Sequence, residues 1–261
     1  MEDHISNLNK ERLKSVVDKY HRKLVFIKMP SQEEVYPGVT VNLGRTYARM
    51  ALGEILPKSV DRVLSLDSDT LVMDSLHEMY NVEFAENEYV AGVYDCVGQA
   101  IQKKVLHVPD DLAYCNAGVF LIDLNKWRAE NVGQKLLESV LKNADGKHIM
   151  YFLEQDLMNL TFYGHLKVLN PRYNMITSVC YFDYDEVIKM KRPVIYYDKK
   201  TVDTHEYDVH GVVLLVFIYS AAPPKFMPNL CGIIAVHSHR CVIECCQQVL
   251  LDVPNLSAVF F

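Results

Sequence analysis

The tripeptide Asp67-Ser68-Asp69 closes the apolar run Arg62 to Leu66, and its spacing points to metal chemistry. A strand that ends in Asp-x-Asp brings both carboxylates near one point at its carboxyl end and turns the middle residue away. Oxygen ligands of this kind suit a hard divalent cation. Mg²⁺ or Mn²⁺ held by one or two carboxylates, with substrate phosphates completing the shell, is the usual arrangement for nucleotide chemistry. Such a cation neutralises the charge that builds on a departing diphosphate. The plainer alternative makes Asp67 and Asp69 caps of a turn and of a helix begun by Asp74. Against it, a buried strand ending in two carboxylates must offset their desolvation with a cation or with hydrogen bonds.

The elements that must carry such a site follow from the periodicities. Asn7 to Tyr20 places Leu13, Val16, Val17 and Tyr20 on one helical face behind Ser6, a good N-cap. Lys23 to Lys28 reads as a strand. Gly44 to Leu56 reads as a helix closed by Pro57. Arg62 to Leu66 is short and apolar, as in the middle of a parallel sheet. Asp74 can cap a helix over Ser75 to Tyr80, Tyr89 to Tyr94 and Cys115 to Asp123 read as strands, and Asn125 to Lys142 reads as one long helix. Strands alternating with helices at this spacing predict an α/β sheet whose ligands sit at the carboxyl ends of the strands, where Asp67 to Asp69 lie.

Composition narrows the function classes. The chain has 261 residues, half of them apolar, and a net charge of −6, so it can bury a large core and carries no basic footprint for nucleic acid. Seven cysteines without a CxxC pair suggest a reducing, cytoplasmic compartment. No signal-peptide pattern opens the sequence, and its longest apolar run, Gly211 to Ala222, is too short for a membrane span, which leaves peripheral membrane association open. Past residue 208 the character changes: Lys225, Arg240, Glu244 and Asp252 are the charged residues of Gly211 to Phe261. The expected division is therefore 1–208 and an apolar segment 209–261. The His237, His239, Cys241, Cys245 and Cys246 group in that segment fits no standard zinc-finger spacing.

Four ordered blocks carry a resemblance. They are Thr46-Tyr47-Ala48-Arg49-Met50; Leu64 to Leu71 around the Asp-x-Asp; Cys115 to Leu124 with Lys126-Trp127; and Glu154-Gln155-Asp156-Leu157-Met158-Asn159 followed by Pro171-Arg172-Tyr173-Asn174. Together they resemble the retaining glycosyltransferases of family 8, which include glycogenin and bacterial lipopolysaccharide galactosyl- and glucosyltransferases. The likeness spans roughly residues 5 to 200, and ordered blocks are far more specific than any one motif.

By that resemblance the fold is a Rossmann-like nucleotide-diphospho-sugar transferase sheet flanked by helices and incomplete at its N-terminus. It implies a UDP-sugar donor, a glycan or lipopolysaccharide-type acceptor, and Mn²⁺ or Mg²⁺ on Asp67 and Asp69. Ser68 is then expected against the nucleoside, Arg49 at the donor phosphates or sugar, and Asn116 and Ala117 under the donor sugar. Asp95 is expected to face the sugar or acceptor, and Glu154, Gln155 and Asp156 are the catalytic candidates on the side of the anomeric carbon away from the leaving group. Plainer readings stand beside these: a solvated Arg49, a turn-capping Asp95, and helix-capping acids at residues 154 and 156.

Three departures accompany the resemblance. The family usually has Asp where this chain has Glu154. Its members begin with a further strand and loop that clasp the uracil and ribose. The family's third metal ligand, a histidine after a late strand, aligns with Val216, and His210 is the nearest substitute. A truncated, catalytically inactive family member with at most weak nucleotide-sugar binding is accordingly the alternative reading.

Overall fold

The computed structural model describes residues 5–43, 47–67, 70–72, 74–95, 98–109, 111–143, 153–176, 214–216 and 258–260. In chain order the elements are α1 (Asn7–Lys19), α2 (Gln32–Val35), α3 (Tyr47–Met50), α4 (Leu52–Ile55), β1 (Arg62–Leu66), β2 (Thr70–Val72), α5 (His77–Tyr80), β3 (Val90–Tyr94) and α6 (Gly98–Val105). There follow β4 (Cys115–Asp123), α7 (Leu124–Ala129), α8 (Val132–Asn143), α9 (Leu153–Thr161), β5 (Leu166–Val168), a 3₁₀ turn (Pro171–Tyr173), β6 (Met175–Ile176), β7 (Leu214–Val216) and β8 (Ala258–Phe260).

A five-stranded sheet in the order β5-β3-β4-β1-β8 forms the centre, with a smaller sheet β2-β7-β6 beside it. The central sheet is mixed. β1 pairs with β8 in parallel and β3 with β5 in parallel, but β4 runs antiparallel to both β1 and β3. The parallel surroundings expected for β1 are thus half right: a strand buried on both faces reads as a continuous apolar run whichever way its neighbours point.

Successive side chains of β1 and β3 alternate between two buried layers. Val63 and Val90 join Phe120, Ile122, Trp127, Leu136, Leu157 and Phe162 on the side covered by α7, α8 and α9. Leu64, Leu66, Ala91 and Val93 join Val72, Leu76, Met79, Leu169 and Tyr173 on the other. On the helical side Phe162 is met edge-on by Tyr89 and Phe120, both with ring centroids at 5.9 Å. Gly92 permits this packing, because a Cβ there would come within 2.5 Å of the Phe120 ring.

In β4 the alternation breaks. Cys115 and Ala117 face the helical layer, and then Phe120 and Ile122 do. The change of parity coincides with the register shift between Gly92 and Tyr94, where the ladder passes from Gly92↔Phe120 to Tyr94↔Cys115. Such irregularities re-aim side chains and end pairing next to functional sites. Here the irregular stretch is Asn116 to Gly118.

Several sequence expectations are corrected. Lys23 to Lys28 forms no strand, and Val25 within it is 58% exposed. The helix expected over Gly44 to Leu56 is two short helices interrupted at Ala51. The helix expected over Ser75 to Tyr80 starts at His77, with Asp74 bonding the adjacent Ser75 amide at 2.7 Å rather than capping. The helix expected over Asn125 to Lys142 divides at Glu130-Asn131, where Asn131 adopts φ 51°, a left-handed conformation that Asn tolerates better than most residues. Among the described residues no helix is long and apolar enough to cross a membrane.

Candidate functional site

The site lies where β1 and β4 reach the irregular stretch. The Asp67 amide donates to the Gly118 carbonyl at 2.8 Å, which ties the end of β1 to that stretch. Asn116 folds back on itself, its Oδ1 accepting from the Gly118 amide at 2.9 Å and from Asn174 Nδ2 at 3.0 Å.

Arg49 joins the separate motifs. It is buried, 4% exposed, which rules out the solvated surface arginine. Nη1 donates to the Ala117 carbonyl at 2.7 Å and lies 3.0 Å from Glu154 Oε1, and Nη2 is paired with Asp67 Oδ1. One guanidinium from α3 therefore spans the end of β1, the irregular backbone of β4 and the first turn of α9. Burial raises the Glu154 carboxyl above its usual range; Arg49 opposes that shift and Asp67 adds to it.

Gln155 forms a second hub. Its Oε1 accepts from the Ala117 amide at 2.8 Å and from Asn116 Nδ2 at 3.0 Å. Its Nε2 donates to Asp95 Oδ2 at 2.9 Å and to the Tyr114 hydroxyl at 3.2 Å. A backbone N–H can only donate, so the amide orientation is fixed by its partners. Asp95 is 6% exposed and also meets Asn116 Nδ2 at 3.4 Å, so it belongs to this network rather than to a surface turn.

Asp156 is placed differently from its neighbours. It is fully buried, and its oxygens accept from Tyr114 Oη at 2.5 Å and Gln102 Nε2 at 2.7 Å. Beneath it Asn159 clamps the start of β4, bonding both the amide and the carbonyl of Cys115, at 2.6 and 2.7 Å. Burial pushes the Cys115 thiol up, so it stays protonated and serves as core.

The structure thus brings together Asp67, Arg49, Asn116, Ala117, Asp95, Glu154 and Gln155. Ser68 and Asp69 lie outside the described residues, as do His210, His237, His239, Cys241, Cys245 and Cys246. Among the described residues no three acidic, histidine or cysteine side chains are grouped to hold a metal ion. Asp67, 37% exposed at a strand end, is still an oxygen ligand of the kind a hard cation takes. Sequence reasoning missed Tyr114, Gln102 and Asn174. The Asn159 and Asn174 positions sat inside recognised blocks, but nothing in the sequence shows which atoms a neutral polar residue will meet.

A mixed α/β sheet with helices against it and a polar site at its strand ends is the architecture of the GT-A-like glycosyltransferases. The solved galactosyltransferase LgtC, in complex with donor and acceptor sugar analogues, superposes with a TM-score of 0.57 at 24% identity, covering 88% of this chain and 77% of that one. The sequence model of glycosyl transferase family 8 matches residues 1–201, and the chain belongs to that family.

Its relatives include a Haemophilus influenzae (strain Rd) protein named as a glycosyltransferase, 30% identical over 175 residues, which are 65% of this chain and 51% of that protein. They also include the lipopolysaccharide 1,3-galactosyltransferase of Salmonella typhimurium, 31% identical over 163 residues, 61% of this chain and 46% of that enzyme. The chain spans about half the length of these relatives.

Proposed function

We propose that this chain is the donor-binding and transfer core of a metal-dependent retaining hexosyltransferase, moving glucose or galactose from a UDP-sugar to a glycan or lipopolysaccharide-type hydroxyl acceptor. The observation that carries the reading is the contact of Arg49 with Asp67, the Ala117 carbonyl and Glu154, which unites all four family blocks in one site. Residues 1–208 would carry the site, with 209–261 a divergent segment, and the protein would work in the cytoplasm, free or at a membrane surface.

In this reading Asp67 and Asp69 hold Mn²⁺ or Mg²⁺, which when bound offsets the charge on the diphosphate. Ser68 lies against the nucleoside. Arg49 presents a desolvated cation to the phosphates or sugar, worth more there than in water because buried charge is weakly screened. Asn116 bonds sugar hydroxyls while the Ala117 backbone passes beneath the ring. Asp95 and Gln155 orient Asn116 through the amide bonds described above. Glu154 and Gln155 flank the anomeric centre, Glu154 nearest the Asp67 side through Arg49, and Asp156 stands behind Gln155, bonded by Tyr114 and Gln102. Retention follows either from a carboxylate that attacks and is displaced or from same-face attack in which the departing phosphate takes the acceptor's proton.

The alternative, an inactive member with weak donor binding, has one observation in its favour. β7 pairs antiparallel with β2 in the register Thr70↔Val216, so the strand beside the Asp-x-Asp segment offers an apolar residue where the family resemblance expects a histidine ligand. Purified protein incubated with UDP-glucose or UDP-galactose and Mn²⁺ separates the two. Release of UDP that disappears in Asp69→Asn supports the enzyme. No release together with no Mn²⁺-dependent UDP binding rejects it.

A further inference from the structure

Asp156 stands next to Gln155 in the sequence, but its carboxylate is fully buried and both oxygens are engaged from behind the site, one by Tyr114 and one by Gln102. Tyr114 is itself fully buried and touches both residues. Its hydroxyl has one hydrogen, and at 2.5 Å that hydrogen goes to the Asp156 oxygen, so the same hydroxyl must accept the Gln155 Nε2 hydrogen at 3.2 Å. The chain of donation runs one way: Gln155 to Tyr114 to Asp156.

The consequence for Gln155 is specific. Both Nε2 hydrogens are assigned, to Asp95 and Tyr114, and both Oε1 lone pairs are assigned, to Asn116 and Ala117. If Asp156 were absent, the Tyr114 hydroxyl would lose the acceptor that orders its hydrogen, and its lone pair would no longer be held toward Gln155 Nε2. Burial and the nearby Asp156 hold the Tyr114 phenol well above its ordinary value, so it remains a donor across the working pH range.

We infer that Tyr114, with Gln102, is a positioning residue: it holds Asp156 as a non-reacting carboxylate and, its own hydrogen so committed, accepts from the Gln155 amide and steadies it in the orientation that Ala117 and Asp95 also hold. Asp156 then acts on the reaction through Tyr114 and Gln155, without touching the sugar. This assignment rests on the transferase reading above for its kinetic consequence, but not for its structural one.

The test uses Tyr114→Phe, Asp156→Asn and the double variant, with Gln102→Leu as a second way to remove a donor from Asp156. Side-chain amide resonances in ¹⁵N-labelled protein, with the Gln155 pair identified by its loss in Gln155→Glu, report the orientation directly. The expected result is a shifted and faster-exchanging Gln155 amide in Tyr114→Phe. In the UDP-release assay kcat should fall about tenfold with the donor KM held within twofold, and the double variant should lose no more than either single one, because groups acting as a unit are non-additive. An unmoved amide in both Tyr114→Phe and Gln102→Leu overturns the assignment even if the protein proves inactive. So does an Asp156→Asn loss of a thousandfold or more that multiplies with the Tyr114→Phe loss, since that marks Asp156 as the attacking carboxylate. Absence of turnover in the unaltered protein counts against the transferase reading and leaves the amide measurement to decide this one.

Discussion

Replacing Arg49 by Met should destabilise the protein in a pH-dependent way. The substitution keeps much of the buried stem but removes a charge-assisted bond to the Ala117 carbonyl, worth about 1.5–3 kcal/mol. It also leaves the Asp67 and Glu154 carboxylates without the cation between them. These are 37% and 29% exposed, so water screens them and the added cost is roughly 1 kcal/mol or less. A total of about 1.5–4 kcal/mol corresponds to a fall of roughly 3–16 °C in melting temperature for a chain of this size. With Arg49 gone, the influences left on Glu154, burial first and then Asp67, both raise its carboxyl, so it titrates higher in the variant than in the parent. A carboxyl whose folded-state pKa stands above its unfolded value penalises the fold at neutral pH, and the penalty fades as pH falls through the folded value toward the unfolded one. Thermal melts in metal-free buffer should therefore show the deficit at pH 7.5 narrowing at pH 5. Adding Glu154→Gln to Arg49→Met should remove most of that pH dependence. A deficit equal at both pH values, or fully additive with Glu154→Gln, would refute the ion-pair account.

Other consequences are open to simpler measurements. Gly92→Ala drives a methyl against Phe120 inside a packed aromatic cluster and should cost about 1–3 kcal/mol in urea unfolding; unchanged stability would mean the ring has room to move. Trp127→Ala empties a fully buried site beside Phe162 and should cost about 3–5 kcal/mol, enough to shift the urea midpoint by a molar unit or more. Val216→His, at the position paired with Thr70, should tighten Mn²⁺-dependent UDP binding about tenfold by calorimetry, and an unchanged affinity would sever residue 216 from the metal. Chelating the metal with EDTA should weaken UDP binding in the parent by at least that factor.

Residue types and order were legible in the sequence; partners were not. The strands at Val90–Tyr94 and Cys115–Asp123 could be read because apolar runs bounded by polar residues leave few alternatives. The Lys23–Lys28 strand failed because a strand needs a neighbour, and local propensity cannot say whether one will arrive. The break at Asn131 hid inside a good helical period, since a single left-handed residue costs little when the helices on either side have separate packing sites. The direction of β4 was invisible for a similar reason: a nine-residue run buried along most of its length carries no mark of which way its neighbours travel.

At the site the same limit takes an electrostatic form. Asp67, Glu154 and Asp156 are three carboxylates of one family pattern, and sequence gives them similar standing. Their partners separate them: Asp67 and Glu154 share the guanidinium of Arg49, while Asp156 accepts from Tyr114 and Gln102 inside the core. Among the described residues, two acids on one base leave an excess of negative charge where an anionic diphosphate is proposed to bind. The diphosphate would have to take Arg49 from its present partners, and those carboxylates would then lie uncompensated beside new negative charge. A divalent cation on the Asp67 side would offset both, so the proposed metal dependence draws on the pairing of Arg49 as well as on the Asp-x-Asp spacing that first suggested it.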